Sequence, residues 1–418
     1  MKIIFAPDSF KGTLSSMEVI DILIKAAKPH FPEMTPVALP VADGGEGTVD
    51  ALVAALGGKF RYAEVTGPLP GMKVQAKYGI IYNIDINCNY NNINKSNNKN
   101  NADKNKNDNY PVYKTAVIEM AQASGLPLLT TAERNPLLTT TFGTGELIKA
   151  ALNDGVTEII LGIGGSATND GGIGAAAALG VRFYKSDPSL SSKASALTSF
   201  TGGNLSEISH IDISGVDPRL SKCKITVICD VKNPLTGVKG ATWIFGSQKG
   251  ATPEMLEILE SGMISYARVV AESQIDISSI PGTGAAGGLA VPFLAFFNAQ
   301  LKSGVETLLD LAGFDDLLDD TSLVVTGEGR IDGQSVFGKV PVGIASRCKK
   351  KNVPCIAIVG AIGDGATDVY EFGIDSIMST YNKNMTLEEA LMNAPALLSD
   401  ASDRMFRLIK AGMKITQK

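Results

Sequence analysis

The chain has 418 residues, 44% of them apolar, with 44 Gly, five Cys and two His, and 38 Lys and Arg against 43 Asp and Glu for a formal net charge of −5. This length and apolar share exclude a disordered chain and leave room for two or three cores of roughly 100–200 residues each. The acidic balance without a basic run argues against nucleic acid or an anionic membrane as partner, and the odd, unspaced cysteines argue against a disulfide framework or a zinc site.

Lys2–Ala6 is predicted as a buried strand, and the apolar start is broken by Asp8 before it reaches the length of a signal-peptide core. No run approaches the ~18 apolar residues of a membrane span, so the expected setting is the cytoplasm. Met17–Lys28 follows as a helix, opened by the capping-box spacing of Ser15 and Glu18 and ended before Pro29. Met34–Pro40 reads as a strand and Gly45–Leu56 as a helix closed by Gly57 and Gly58. From Phe60 to Met120 the texture changes to short alternating strands, which places the start of a second, mixed sheet near Val65. Asn83–Val112 holds 13 Asn in 30 residues and few large apolar groups. It cannot bury enough surface to offset its ordering entropy, so a disordered insertion without function is expected between strands Lys77–Tyr82 and Lys114–Met120.

Strand and helix patterns then alternate: helix Thr144–Asn153, strand Thr157–Ile163, helix Asp170–Leu179, a Ser-rich ordered loop at Ser186–Ser206, strand Lys224–Cys229, and helix Pro253–Ala271 with Thr252 as its cap. The last third gives strand Ser322–Thr326, helix Pro341–Lys350, strands Cys355–Gly360 and Ser376–Thr380, and a closing amphipathic helix over Leu387–Ala411. Alternation of this kind predicts an α/β protein with largely parallel sheets.

Gly162–Gly174, GIGGSATNDGGIG, has six Gly in thirteen residues between a strand and a helix. Such a turn aims backbone N–H groups and a helix N-terminus at an anion, usually a phosphate. Asp170 inside it would repel phosphate unless a cation bridged the two, which suggests Mg²⁺–nucleotide; the plainer alternative is a tight turn with Asp170 as helix cap. Gly162, Gly164 and Ala167 also fit the dinucleotide pattern GxGxxA, and Gly282–Gly287 fits GxGxxG, each weak alone. GQSVFGKV at Gly333–Val340 fits GxxxxGK but has Val340 where a P-loop has Ser or Thr. Lys339 there reads equally as a phosphate contact or a solvated lysine.

With His30 and His210 remote from any Ser, Cys or carboxylate cluster, carboxylates, Lys and Arg must supply the chemistry. Asp8, Asp43, Glu46, Asp230, Glu328 and Asp332 stand at strand ends, with Lys11 and Arg330 close by. Hard oxygen donors for Mg²⁺ and a carboxylate base for a hydroxyl nucleophile together suit phosphoryl transfer. The competing readings are an NAD-dependent dehydrogenase of a small hydroxy acid, resting on GxGxxA, and a ligand-binding protein without catalysis.

The sequence resembles the type-1 glycerate kinase family in APDSFKGTLS (Ala6–Ser15), PVADGGEGTVDAL (Pro40–Leu52), EMAQASGLPLL (Glu119–Leu129), RNPLLTTTFGTGELI (Arg134–Ile148) and IGGSATNDGG (Ile163–Gly172). The match continues in family order with CDVKNPLTG (Cys229–Gly237), FGSQKGA (Phe245–Ala251), GTGAAGGL (Gly282–Leu289) and TGEGRIDGQSVFGKVPVG (Thr326–Gly343). The resemblance implies an ATP-dependent kinase of D-glycerate, usually acting on the 2-hydroxyl to give 2-phosphoglycerate, with 3-phosphoglycerate left open. It implies two α/β domains. One is a Rossmann-like parallel-sheet domain of residues 1–65 and 290–418, and the other is a mixed-sheet domain of residues 66–289, inserted between its parts and carrying the 83–112 insertion. ATP and Mg²⁺ are the expected cofactors and D-glycerate and ATP the expected partners, without nucleic acid or membrane, and with a homodimer open.

Under this reading Asp8 or Asp43 is the expected base, and Lys11 and Arg330 neutralise charge or hold the substrate carboxylate. Gly164, Gly165, Ser166, Thr168, Asn169, Gly284 and Lys339 are expected around the nucleotide, and Asp170, Asp230 and Glu328 around the metal. The chain departs from the family pattern in the Asn-rich insertion, which replaces a short hairpin turn, and in Ser247, where the family tends to have Pro.

Overall fold

Thirteen strands are present in a computed structural model that describes residues 1–42, 47–82, 113–186, 195–273 and 275–416. They are β1 (Lys2–Pro7), β2 (Thr35–Ala38), β3 (Lys59–Thr66), β4 (Lys73–Tyr82), β5 (Lys114–Glu119), β6 (Glu158–Gly162) and β7 (Arg182–Tyr184), followed by β8 (His210–Asp212), β9 (Lys224–Ile228), β10 (Gln300–Lys302), β11 (Thr321–Ile331), β12 (Cys355–Ile362) and β13 (Ser376–Ser379). A wholly parallel five-stranded sheet has the order β13-β12-β11-β1-β2. A six-stranded sheet has the order β10-β9-β6-β5-β4-β3, antiparallel at β3/β4 and β4/β5 and parallel elsewhere. The protein is thus a mixed α/β fold, as the alternating pattern predicts. All strands of the six-stranded sheet fall between β2 and β11 in sequence; β3 runs across residues 65 and 66, and β10 lies beyond residue 290.

Strand alternation explains the layers. On β5, Ala116 and Ile118 face one apolar cluster and Val117 another; on β6, Ile159 and Leu161 divide from Ile160 in the same way. The cluster holding Val117 and Ile160 also holds Ile4 and Ala6 of β1, Val324 of β11, and Val49 and Leu52 of helix Thr48–Leu56, so one apolar layer is shared by both sheets. On the far face of the parallel sheet, Ile3 and Phe5 pack with Ile20 and Leu23 of helix Ser16–Ala27 and Phe406 of helix Ala394–Thr416. β1, inside the parallel sheet and buried on both faces, accordingly reads as a continuous apolar run.

The Ser15–Glu18 capping box is present, with the Ser15 N–H donating to Glu18 Oε2 at 2.8 Å and the Glu18 N–H donating to Ser15 Oγ at 3.3 Å. β11 extends past Thr326 through Gly327–Ile331, because its register with β12 continues to Ile331 opposite Ile362. The expected closing helix is two helices, Leu387–Met392 and Ala394–Thr416. Pro395 explains the break, since it has no N–H to donate to the preceding turn. Asp43 and Glu46, the expected insertion over 83–112, and residues 187–194 of the Ser-rich segment lie outside the described residues. Among the described residues, no helix is long and apolar enough to cross a membrane.

Candidate active site

Open α/β sheets place ligands beyond the carboxyl ends of their strands, and here a cavity lies at those ends of each sheet. A cavity of about 370 Å³ is walled by Asp8 after β1, Glu328 and Arg330 of β11, Gly360 of β12 and Thr380 after β13. A second, of about 930 Å³, is walled by Glu119 at the end of β5, Ile163–Ser166 after β6, and Cys229–Val231 after β9. Ser9, Lys11 and Thr13, from the loop after β1, line both. The two cavities therefore adjoin along one loop.

That loop is held tightly at its base. The Asp8 N–H donates to the Gly327 carbonyl at 2.8 Å, and Asp8 Oδ1 accepts from the Ser9 N–H at 2.7 Å. Asp8 is 6% exposed and Lys11 is exposed. Across from them Glu328, also 6% exposed, accepts from Ser335 Oγ at 2.9 Å. Lys339 Nζ stands 3.6 Å from Glu328 Oε2 and 3.7 Å from Asp332 Oδ1. Burial raises the Glu328 pKa, and the Lys339 ammonium opposes that shift. Arg330 reaches solvent with Nε 3.3 Å from Asp332 Oδ2. Five residues expected from the sequence, Asp8, Lys11, Glu328, Arg330 and Lys339, are thus brought around the smaller cavity.

Gly164, Gly165 and Ser166 line the larger cavity, and Gly165 has φ +73°, a left-handed conformation that glycine adopts without strain. Asp230 also lines it, its Oδ1 accepting from Ser303 Oγ at 2.8 Å and from the Gly304 N–H at 3.0 Å.

Asp170 lies apart from both cavities. It is fully buried and lines neither cavity; Oδ2 accepts from the Thr141 N–H at 2.7 Å, Thr141 Oγ1 at 2.8 Å and the Gly174 N–H at 3.4 Å, while Oδ1 accepts from the Gly172 N–H at 3.1 Å. Its oxygens are engaged in closing the turn into helix Ile173–Ala178, and burial raises its pKa against those hydrogen bonds. These bonds favour the tight-turn alternative for Asp170. Thr168 and Asn169 are likewise fully buried and line neither cavity, with Asn169 Nδ2 donating to Thr242 Oγ1 at 3.1 Å. Gly284 is not in either wall; a Cβ there would collide with the Pro234 carbonyl, so close packing explains this glycine.

Sequence reasoning missed three features of the larger cavity. Lys249 is 1% exposed, donates to the Thr168 carbonyl at 2.7 Å, and has its pKa lowered to about 7 by burial, with nearby Asp170 opposing. Glu119 is 3% exposed, accepts from the Val49 N–H at 2.8 Å, and is raised by burial. Lys77 pairs with Asp50 at 2.7 Å. Glu119 ends a strand, so the rule that found Asp8 would have found it. Lys249 carries no such positional signal.

The sequence model of the Glycerate kinase family matches residues 3–410. The chain is 43% identical over 415 residues to the glycerate 2-kinase of Escherichia coli (strain K12), covering 99% of each chain. It is 43% identical over 419 residues to the glycerate kinase of Bacillus subtilis (strain 168), covering 100% of this chain and 99% of that one. A crystal structure from Salmonella typhimurium LT2, of a protein assigned as glycerate kinase 2, superposes with a TM-score of 0.80 at 41% identity over 99% of both chains. Sequence and fold agree along nearly the full length, and the chain belongs to the glycerate kinase family.

Proposed function

We propose that this kinase transfers the γ-phosphoryl group of ATP to the 2-hydroxyl of D-glycerate, giving 2-phosphoglycerate, in the cleft formed by the two adjoining cavities. The observation that carries this reading is the shared loop Ser9–Thr13, which lets two ligands meet across Lys11. We read the cleft as lying between a unit built from both ends of the chain and the unit inserted between them, and we place the enzyme in the cytoplasm with small molecules as its partners.

Asp8, fixed beside the shared loop, takes the proton of the attacking hydroxyl as it turns toward phosphorus. Lys11, Arg330 and Lys339 oppose the charge on the transferring group and its leaving phosphate. The Gly164–Gly165–Ser166 turn lets an anionic group approach backbone that side chains would otherwise shield. Among the described residues no three His, Cys, Asp or Glu gather as a self-sufficient metal site. Mg²⁺ is usually held by one or two carboxylates together with substrate phosphates, and Glu328 and Asp230, in the cavity walls, fit that donor set. When bound, Mg²⁺ would offset charge on the ATP phosphates.

A coupled assay of ADP release tests this proposal. ADP release that requires both ATP and D-glycerate is expected, and ADP release indifferent to D-glycerate would overturn it.

A further inference from the structure

The smaller cavity has a wall that phosphoryl transfer does not explain. Leu387, Ala390 and Leu391 of helix Leu387–Met392, with Ala394 just past the break, line it at i, i+3, i+4, i+7 spacing, one face of a helix. An apolar stripe of this kind normally goes into a core. Here the helix has no buried residue, and Leu387 and Leu391 are 69% and 48% exposed. A capping box holds the helix in place, with the Glu389 N–H donating to Thr386 Oγ1 at 3.2 Å and the Thr386 N–H donating to Glu389 Oε2 at 2.8 Å. Tyr381, 39% exposed, adds a flat ring to the same cavity, with Phe10 buried in the core behind it.

The same cavity also carries charge, from Lys11, Arg330 and Lys339 with Asp8 and Glu328, among small and hydroxyl residues. Its volume of about 370 Å³ is that of a small-molecule pocket. A ligand that matches both halves needs a flat aromatic part and a polyanionic part. Glycerate has three carbons and no apolar face, so it cannot use the leucine stripe. The larger cavity has the Gly164–Ser166 turn and Lys77 in its walls beside apolar and acidic residues, without a helix stripe left exposed like that of Leu387 and Leu391.

Resting on the proposed kinase reading, we infer that the purine base of the nucleotide seats against Leu387, Leu391 and Tyr381, with its phosphates directed past Lys339 and Arg330 to Lys11, and that glycerate occupies the larger cavity. Binding then covers the exposed stripe, which supplies the burial that folding leaves undone.

Leu391→Glu and Leu387→Glu test this, since both sites are exposed and neither change disturbs a core. In each variant, calorimetric titration with ADP is expected to show binding at least about tenfold weaker, and the KM for ATP to rise by at least about tenfold. The KM for D-glycerate should stay within about twofold, and thermal melting should match the parent. ADP binding unchanged within about twofold in both variants, or a rise in the glycerate KM in place of the ATP KM, would overturn the inference. If the parent enzyme releases no ADP with glycerate, the kinase reading falls, while the ADP titration still decides whether this pocket takes the nucleotide.

Discussion

A fully buried carboxylate must be matched by donors, and Asp170 has four, from Thr141, Gly172 and Gly174. Asp170→Asn would turn an amide N–H₂ toward groups that themselves donate. It should cost about 1–3 kcal/mol of stability in urea denaturation, with the Mg²⁺ dependence of turnover unchanged. Unaltered stability with a shifted Mg²⁺ dependence would favour the metal role instead. Asp8→Asn keeps the size of the side chain and removes the base, so kcat should fall about 10²–10⁴-fold while the melting curve holds; kcat within about tenfold of the parent would exclude Asp8 as base. Both residues are aspartates next to turns in sequence. Spacing singles them out together, and only the donors around each carboxylate separate cap from candidate base.

Among the elements, β11 and the loop after β6 decide what the cleft presents. The segment TGEGR does not read as strand, yet pairing with β12 carries it on and thereby aims Glu328 and Arg330 at the smaller cavity. Behind the β6 loop, Lys249 braces the Thr168 carbonyl at 2.7 Å with a pKa lowered to about 7 by burial from an ordinary 10.5. A depressed folded value means the contribution to stability is full above the unfolded pKa and is lost as pH falls through the window down to about 7. The parent should therefore lose stability between about pH 10 and pH 7.5 relative to Lys249→Met, read from urea midpoints at each pH. Parallel pH profiles for the two proteins would contradict a lysine buried in this state. Helix and strand periodicity made most elements legible, but where they end depended on partners distant in sequence: β12 for β11, Asp170 for helix Ile173–Ala178, Pro395 for the final helix.

In the whole molecule the two sheets share an apolar layer in which Ile160 and Val117 meet Ile4, Ala6 and Val324. Ile160 is 1% exposed, so Ile160→Ala should cost about 2–5 kcal/mol. Because the layer belongs to both sheets, that loss should shift one cooperative calorimetric transition as a unit, and separation into two transitions would contradict the shared layer. The α/β class was legible from alternation alone, and strand-end carboxylates pointed to Asp8, Asp230 and Glu328. The pairing of two cavities through Ser9, Lys11 and Thr13 was not, because it depends on how the sheets approach each other. That pairing underlies the proposed transfer between ATP and D-glycerate, and NMR of the reaction product tests it most directly. A phosphorus signal coupled to the single C2 proton, appearing only when ATP and D-glycerate are both present, is the predicted result; coupling to the C3 methylene protons, or no phosphorylated product at all, would contradict it.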